Sequence, residues 1–118
     1  MTEELLAPLH DSARLAALQQ LALVDSPAEA AFDRLTRLAV RMLQVPVALV
    51  TLVDKDRQFF KSCVGLPEPW ASQRETPLSH SFCQYPVASR EPLIITDART
   101  YLLVQDNLAI PDLKVVAY

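Results

Sequence analysis

Among the 118 residues, the side chains that could do chemistry are few: two cysteines, two histidines and a scatter of acids and amides. His80 and Cys83 stand at i,i+3. A thiol beside an imidazole base is the arrangement that lowers a cysteine pKa and makes a nucleophile. The same pair offers two metal ligands, whereas a closed zinc site takes four. No third group in the sequence orients His80, so the pair reads as a partly buried histidine and a core cysteine. Cys63 shares an alternating pattern with Phe59 and Lys61 and reads as a small hydrophobe. Asp97, Asp106, Asn107 and Asp112 could line a site, but such clusters more often cap and turn. Trp70, among Pro67, Pro69 and Pro77, either closes over a ligand or anchors its loop to the core. HExxH and CxxC do not occur, and one glycine cannot build a phosphate-cradling loop. No catalytic constellation and no metal site emerge.

Those side chains need a scaffold, and composition bounds it. The length suits one domain. Half the residues are hydrophobic (51%) and 21% are charged, enough apolar material for a core. A net charge of −3 with scattered Lys and Arg gives no nucleic-acid footprint. The acidic start, Thr2-Glu3-Glu4, is unlike a secretory signal. The apolar run Val45 to Val53 falls far short of the roughly 20 residues of a membrane helix. Two cysteines fit a reducing compartment, so the expected location is cytoplasmic, with no membrane and no nucleic-acid partner. One glycine stands against nine prolines, where glycine averages about 7%. Either Asp, Asn and Pro build the turns, or a glycine-bearing part of the fold lies beyond the chain.

The elements can be read in order. Residues 1–10 read as a flexible lead-in, and residues 11–118 as the domain. Asp11 or Ser12 caps a first helix with Leu15, Leu18 and Ala22 on one face. Ser26-Pro27-Ala28-Glu29 has the form of a capping box opening a second helix. Its apolar stripe is Phe32, Leu35, Ala39, Met42 and Leu43; Asp33–Arg37 forms an i,i+4 pair, and Pro46 ends it. Val47 to Val53 reads as a central strand covered on both faces, hairpinned through Asp54-Lys55-Asp56 to a strand over Gln58–Val64. A short helix is expected over Ser79–Val87, a third strand over Pro92–Thr96, a helical turn near Val104–Leu108 and a fourth strand from Lys114. The fold class is α/β (α+β) with an antiparallel sheet.

The stretch Leu78-Ser79-His80-Ser81-Phe82-Cys83-Gln84-Tyr85, then Glu91 to Arg99 and Asp106-Asn107, resembles a GAF domain. The likeness is to the bacterial type found in front of sensor histidine kinases, diguanylate cyclases and serine phosphatases. Arg14 to Leu18, Val24 to Pro27, Ala31 to Thr36, Val47 to Asp54 and Gln58 to Lys61 follow its order and spacing. The resemblance implies an antiparallel sheet of five or six strands, helices on one face and a loop-covered small-molecule pocket on the other. Carried over by position, the ligand-binding residues are Trp70, His80, Phe82, Cys83, Tyr85, Asp97 and Asn107. The family takes cyclic nucleotides, bilins, haem or metabolites, and the sequence matches no bilin-attachment context, so the ligand and any cofactor are left open. Further strands and a C-terminal helix would follow Tyr118, which makes this an incomplete domain expected to self-associate by dimerisation or strand swap. The implied function is sensory control of an attached output domain in signal transduction. The alternatives are a ligand-free dimerisation or interaction module and a thiol-dependent GAF-fold reductase.

Overall fold

The computed structural model describes residues 2–118. Seven apolar or β-branched residues after Pro46 make an extended segment, and a three-residue turn folds the next one back on it. Strand β1 (Ala48–Val53) thus pairs antiparallel with β2 (Arg57–Val64), and β3 (Glu75–Pro77) adds to the far side of β2. The sheet order is β1-β2-β3. β1 therefore lies at an edge among the described residues, not at the centre as its two-sided apolar pattern predicts. Around the sheet stand α1 (Thr2–Leu6), α2 (Ser12–Leu21), α3 (Ala30–Leu43), α4 (Trp70–Gln73), α5 (Gln84–Ser89) and α6 (Ala109–Leu113). The fold is mixed α/β. Among the described residues no helix is long and apolar enough to cross a membrane.

The register of the hairpin slips once. Val50 faces Ser62 and Thr51 faces Phe60, which leaves Lys61 as a bulged extra residue. Strand alternation is broken there, and Gln58 to Ser62 are buried without interruption. The Lys61 side chain is wholly enclosed. Its ammonium has three N–H donors, and all three are used: Ser26 Oγ at 2.6 Å, the Pro27 carbonyl at 2.6 Å and Glu29 Oε2 at 2.5 Å. The Phe32 ring lies 5.5 Å away. Two further cations hold the same loop. Arg74 donates to the Ser26 carbonyl at 3.0 Å while stacking over Phe59, and Arg57 grips the Asp25 carboxylate at 2.8 and 2.7 Å. That grip holds the Asp25 carboxyl below the usual range.

The capping box is therefore not formed. Ser26 turns to Lys61 and the Leu23 carbonyl, and α3 begins at Ala30 with no side-chain cap. The Asp33–Arg37 pair is not made either, because Asp33 Oδ1 accepts from the Ser62 hydroxyl at 2.5 Å. Thr36, opposite Ser62 at 2.8 Å, is the one fully buried residue of α3. α3 lies against β1 and β2 with the Thr36 side inward. Of the expected stripe, Phe32 and Ala39 are half-buried, whereas Leu35, Met42 and Leu43 are exposed.

Where a lead-in is expected, α1 runs into a 3₁₀ turn at Ala7–His10, and Leu9 is 1% exposed. Leu9 packs with Val53 and Ala88 on the sheet face opposite α3. Asp11 caps α2 as expected, accepting from the Arg14 N–H at 2.9 Å. The Arg14 guanidinium then donates to the Val53 and Leu9 carbonyls, each at 2.7 Å.

The third strand is Glu75–Pro77, not Pro92–Thr96. The two expected later strands do meet: Ile95 and Tyr118 exchange backbone hydrogen bonds of 2.7 and 2.9 Å, and the Ala98 N–H donates to the Val116 carbonyl at 2.6 Å. These three bonds stand apart from the main sheet. The helix expected over Ser79–Val87 is a 3₁₀ turn at Leu78–His80 followed by α5, and near Val104 the chain makes hydrogen-bonded turns, with the Gln105 N–H on the Tyr101 carbonyl at 2.9 Å, before α6.

The lone glycine sits where no other residue fits. Gly65 has φ +86°, and a Cβ there would stand 2.0 Å from the Pro46 carbonyl oxygen. Six other residues take positive φ without being glycine: Ala22, Asp25, Gln44, Arg74, Arg90 and Lys114. Five of them close helices, at the ends of α2 to α6.

Lys61→Met keeps the length of the side chain and removes the ammonium. It is expected to cost about 2–3 kcal/mol in urea denaturation, while Glu29→Gln at the exposed end costs under about 1 kcal/mol. Equal losses would show that the buried end is not what holds the loop. Gly65→Ala is expected to lose roughly 2 kcal/mol or more. Arg90→Gly and Lys114→Gly should each gain up to about 1 kcal/mol by thermal melting; a loss at both would refute left-handed strain there.

Candidate functional site

Two prolines, Pro67 and Pro69, bend the chain after Gly65, and α4 starts on the Pro67 carbonyl, which accepts from the Ala71 N–H at 3.2 Å. This carries Trp70 over the end of the 3₁₀ turn, where its ring centroid is 4.9 Å from that of His80. His80 is 8% exposed, and both ring nitrogens are engaged. Nε2 lies 2.7 Å from Asp112 Oδ2 and Nδ1 lies 3.0 Å from Ser79 Oγ. A carboxylate only accepts, so with a neutral ring Nε2–H donates to Asp112 and Nδ1 accepts from the Ser79 hydroxyl.

That connectivity, hydroxyl to imidazole to carboxylate, is the relay of a nucleophilic triad. Such a nucleophile also needs free N–H groups to meet an oxyanion. Two neighbouring ones are occupied: the Ser81 N–H donates to the Leu78 carbonyl at 3.0 Å and the Leu108 N–H to the Ser79 carbonyl at 3.0 Å. The arrangement works as a clasp joining the 78–80 turn to α6.

A web of amide side chains holds the same turn. Gln58 Nε2 donates to Thr76 Oγ1 at 2.8 Å and to the His80 carbonyl at 3.2 Å. Gln84 Nε2 donates to the Leu78 and Ser81 carbonyls, both at 2.7 Å. Asn107 Nδ2 donates to the Ser81 carbonyl at 2.9 Å while its Oδ1 accepts from the Ala109 N–H at 2.9 Å, an Asx turn that leads into α6. Among the described residues the buried Gln58 Oε1 of this web has no partner, and neither has the buried Thr51 Oγ1 on β1.

Of the seven residues carried over from the GAF pattern, Trp70, His80, Phe82, Tyr85 and Asn107 come together. Phe82 is a centre of the larger apolar cluster, and Trp70 and Tyr85 pack against it. Burial pushes the Tyr85 hydroxyl pKa up, and the neighbouring Asn107 amide opposes the shift. Cys83 faces the other way, towards the cluster of Leu9, Val53 and Ala88. Its Sγ accepts from the Tyr118 hydroxyl at 3.3 Å, and both His80 nitrogens point elsewhere, so no Cys83–His80 nucleophile pair forms. Asp97 is closed onto Arg99 through three hydrogen bonds of 2.8 to 3.0 Å at the surface. This holds its carboxyl down to about 2. Cys63 is a free, half-buried thiol whose pKa burial pushes up.

Ser79 and Tyr118 join the cluster without having been singled out, and Asp112, weighed above only among the acids and amides that could line a site, joins it through His80. Tyr118 stacks on Phe82 at 5.5 Å, and its burial and its bond to Cys83 push the phenol pKa up. Only an acid on a later element able to reach His80 marks Asp112 in the sequence, and its distance along the chain hides it. A cavity of about 240 Å³ lies aside from the cluster, lined by Gln73, Glu75, Thr76 and Pro77. Among the described residues no group of three or more His, Cys, Asp or Glu is placed to hold a metal ion.

The architecture is a mixed α/β module. Over 100 residues, 85% of the chain, it is 30% identical to a cyclic di-GMP phosphodiesterase of Pseudomonas aeruginosa. The match spans 16% of that protein's length. No model of a known protein family matches the chain.

Asp112→Ala strips the buried His80 N–H of its acceptor. It is expected to cost about 1–2 kcal/mol and, because Trp70 is the sole tryptophan, to shift emission to the red as α6 loosens. Unchanged emission would show that the clasp does not position Trp70.

Proposed function

We propose that the chain is a sensory or regulatory module of GAF type that acts in signal transduction by binding a small molecule, by self-association, or by both, to control an attached output domain. The observation that carries this reading is the match to a small share, 16%, of a cyclic di-GMP phosphodiesterase. A shared segment of that size fits a control module better than a catalytic body. The geometry supports it through the convergence of Trp70, His80, Phe82, Tyr85 and Asn107 against one turn. Aromatic faces, amides and the unpartnered buried Gln58 acceptor are what a small polar ligand with donor groups would use. The outer edge of β1, unpaired among the described residues, supports the self-association arm, since its backbone groups can pair with another strand. On this reading the module is not itself an enzyme.

The ligand-free interaction reading has one observation in its favour. The five residues fill their own space: Trp70 stacks on His80 and Phe82 on Tyr118.

Two measurements on the purified chain decide between these readings. Native mass spectrometry of freshly prepared protein is expected to show either a retained mass that is lost on denaturation or a dimer. A bare monomer over the whole concentration range would remove both arms. Incubation with cyclic di-GMP is expected to leave it intact by liquid chromatography, and hydrolysis would replace the regulatory reading with a catalytic one.

A further inference from the structure

α3 turns a second face away from the sheet, and its chemistry is specific. Leu35 is 57% exposed, Leu38 51% and Met42 73%. With Ala31 they follow a 4-3-4 spacing, the a/d repeat of a helix-to-helix seam. Arg34, Arg37 and Arg41 run along one flank of the seam, all exposed. None of the three is in an ion pair among the described residues. The only carboxylate of α3, Asp33, is turned to the sheet and bound by Ser62. Three large apolar side chains in water beside three uncompensated cations describe a surface that lacks its counterpart.

We propose that this seam docks an amphipathic helix with apolar residues at its own a and d positions and Asp or Glu along the flank that meets the arginines. Charge complementarity chooses this partner over two others. A second copy laid antiparallel on the same seam sets arginine against arginine, which is repulsive. A membrane surface needs a broad apolar face, whereas the inward side of α3 is already spent on the sheet and the arginines bound the outward seam along one flank. The inference is independent of whether the Trp70–His80 cluster takes a ligand.

The test uses the whole chain and two synthetic helices, both with Leu at a and d, one with Glu and the other with Lys at e and g. Self-repulsion leaves each peptide poorly helical alone, so docking is read as a gain of helicity by circular dichroism, with stoichiometry by native mass spectrometry. The Glu peptide is expected to bind one to one and roughly tenfold or more tighter than the Lys peptide. Arg34→Glu with Arg41→Glu should reverse that order, and Leu38→Glu should abolish binding. Because these positions are exposed, the melting temperatures of the variants serve as the control for folding. The proposal fails if both peptides bind equally, if neither binds, or if Leu38→Glu changes nothing. It also fails if Leu38→Glu instead dissolves a dimer of the chain, or if the chain sediments with phosphatidylglycerol vesicles through the arginines while ignoring the peptides.

Discussion

The Lys61 ammonium is the fixed point of the structure. Placing a lysine out of water costs several kcal/mol unless its donors are met, and here the bulge at Val50/Thr51 delivers it to the underside of the loop before α3. Three oxygens meet its three N–H groups, and the Phe32 ring faces it from α3. The consequences run outward. Ser26 and Glu29, committed to the lysine, cannot cap α3, so the helix starts at Ala30 and is held from outside its own first turn. Asp33 and Thr36 then meet Ser62, which sets the rotation of α3 about its axis. That rotation turns Leu35, Leu38 and Met42 outward. The exposed seam is a downstream result of where one ammonium had to go.

Local signals in the sequence held wherever the competing partner was also local. The hairpin followed from an apolar run, a three-residue turn and a second run, and Asp11 capped α2 because nothing else reached it. The same logic failed at Ser26–Glu29 and at Asp33–Arg37, where partners 29 to 35 positions away outbid the neighbours. No window of residues shows that Lys61 is a bulge, since the bulge exists only in the pairing with β1. β3 was hidden by its length and by Pro77, and its place came from the ladder of β2. The scarcity of glycine was legible as a number but not as a mechanism. Of the two explanations, the turns-from-other-residues one describes the helix ends, though with Ala, Gln, Arg and Lys where Asp and Asn were expected.

The candidate site was half legible for the same reason. Residue types and resemblance placed Trp70, His80, Phe82, Tyr85 and Asn107 together, but what His80 does depends on Asp112, thirty-two residues on. Cys83 shows the limit of i,i+3 reasoning: the 3₁₀ turn ends at His80 and α5 begins after Cys83, so the two side chains never share a helix face.

The two halves of the molecule are held by different kinds of bond, and this bears on how a regulatory module could respond. β1 and β2 are joined by a ladder and sealed by the enclosed Lys61 ammonium, whereas the turn at residues 78–81 hangs on the amides of Gln58, Gln84 and Asn107 and the His80–Asp112 clasp. Segments held by a few side-chain hydrogen bonds open at lower cost than a packed ladder. A responsive module needs two states separated by only a few kcal/mol, and this turn is the part built to that scale. Tyr118 is joined to it from both sides, by its ring to Phe82 and its hydroxyl to Cys83, and by its backbone to Ile95. On the regulatory reading, a molecule that enters between Phe82 and Cys83 must displace Tyr118. Whatever then holds Tyr118 in place must, by the same free energy, oppose the entry of that molecule.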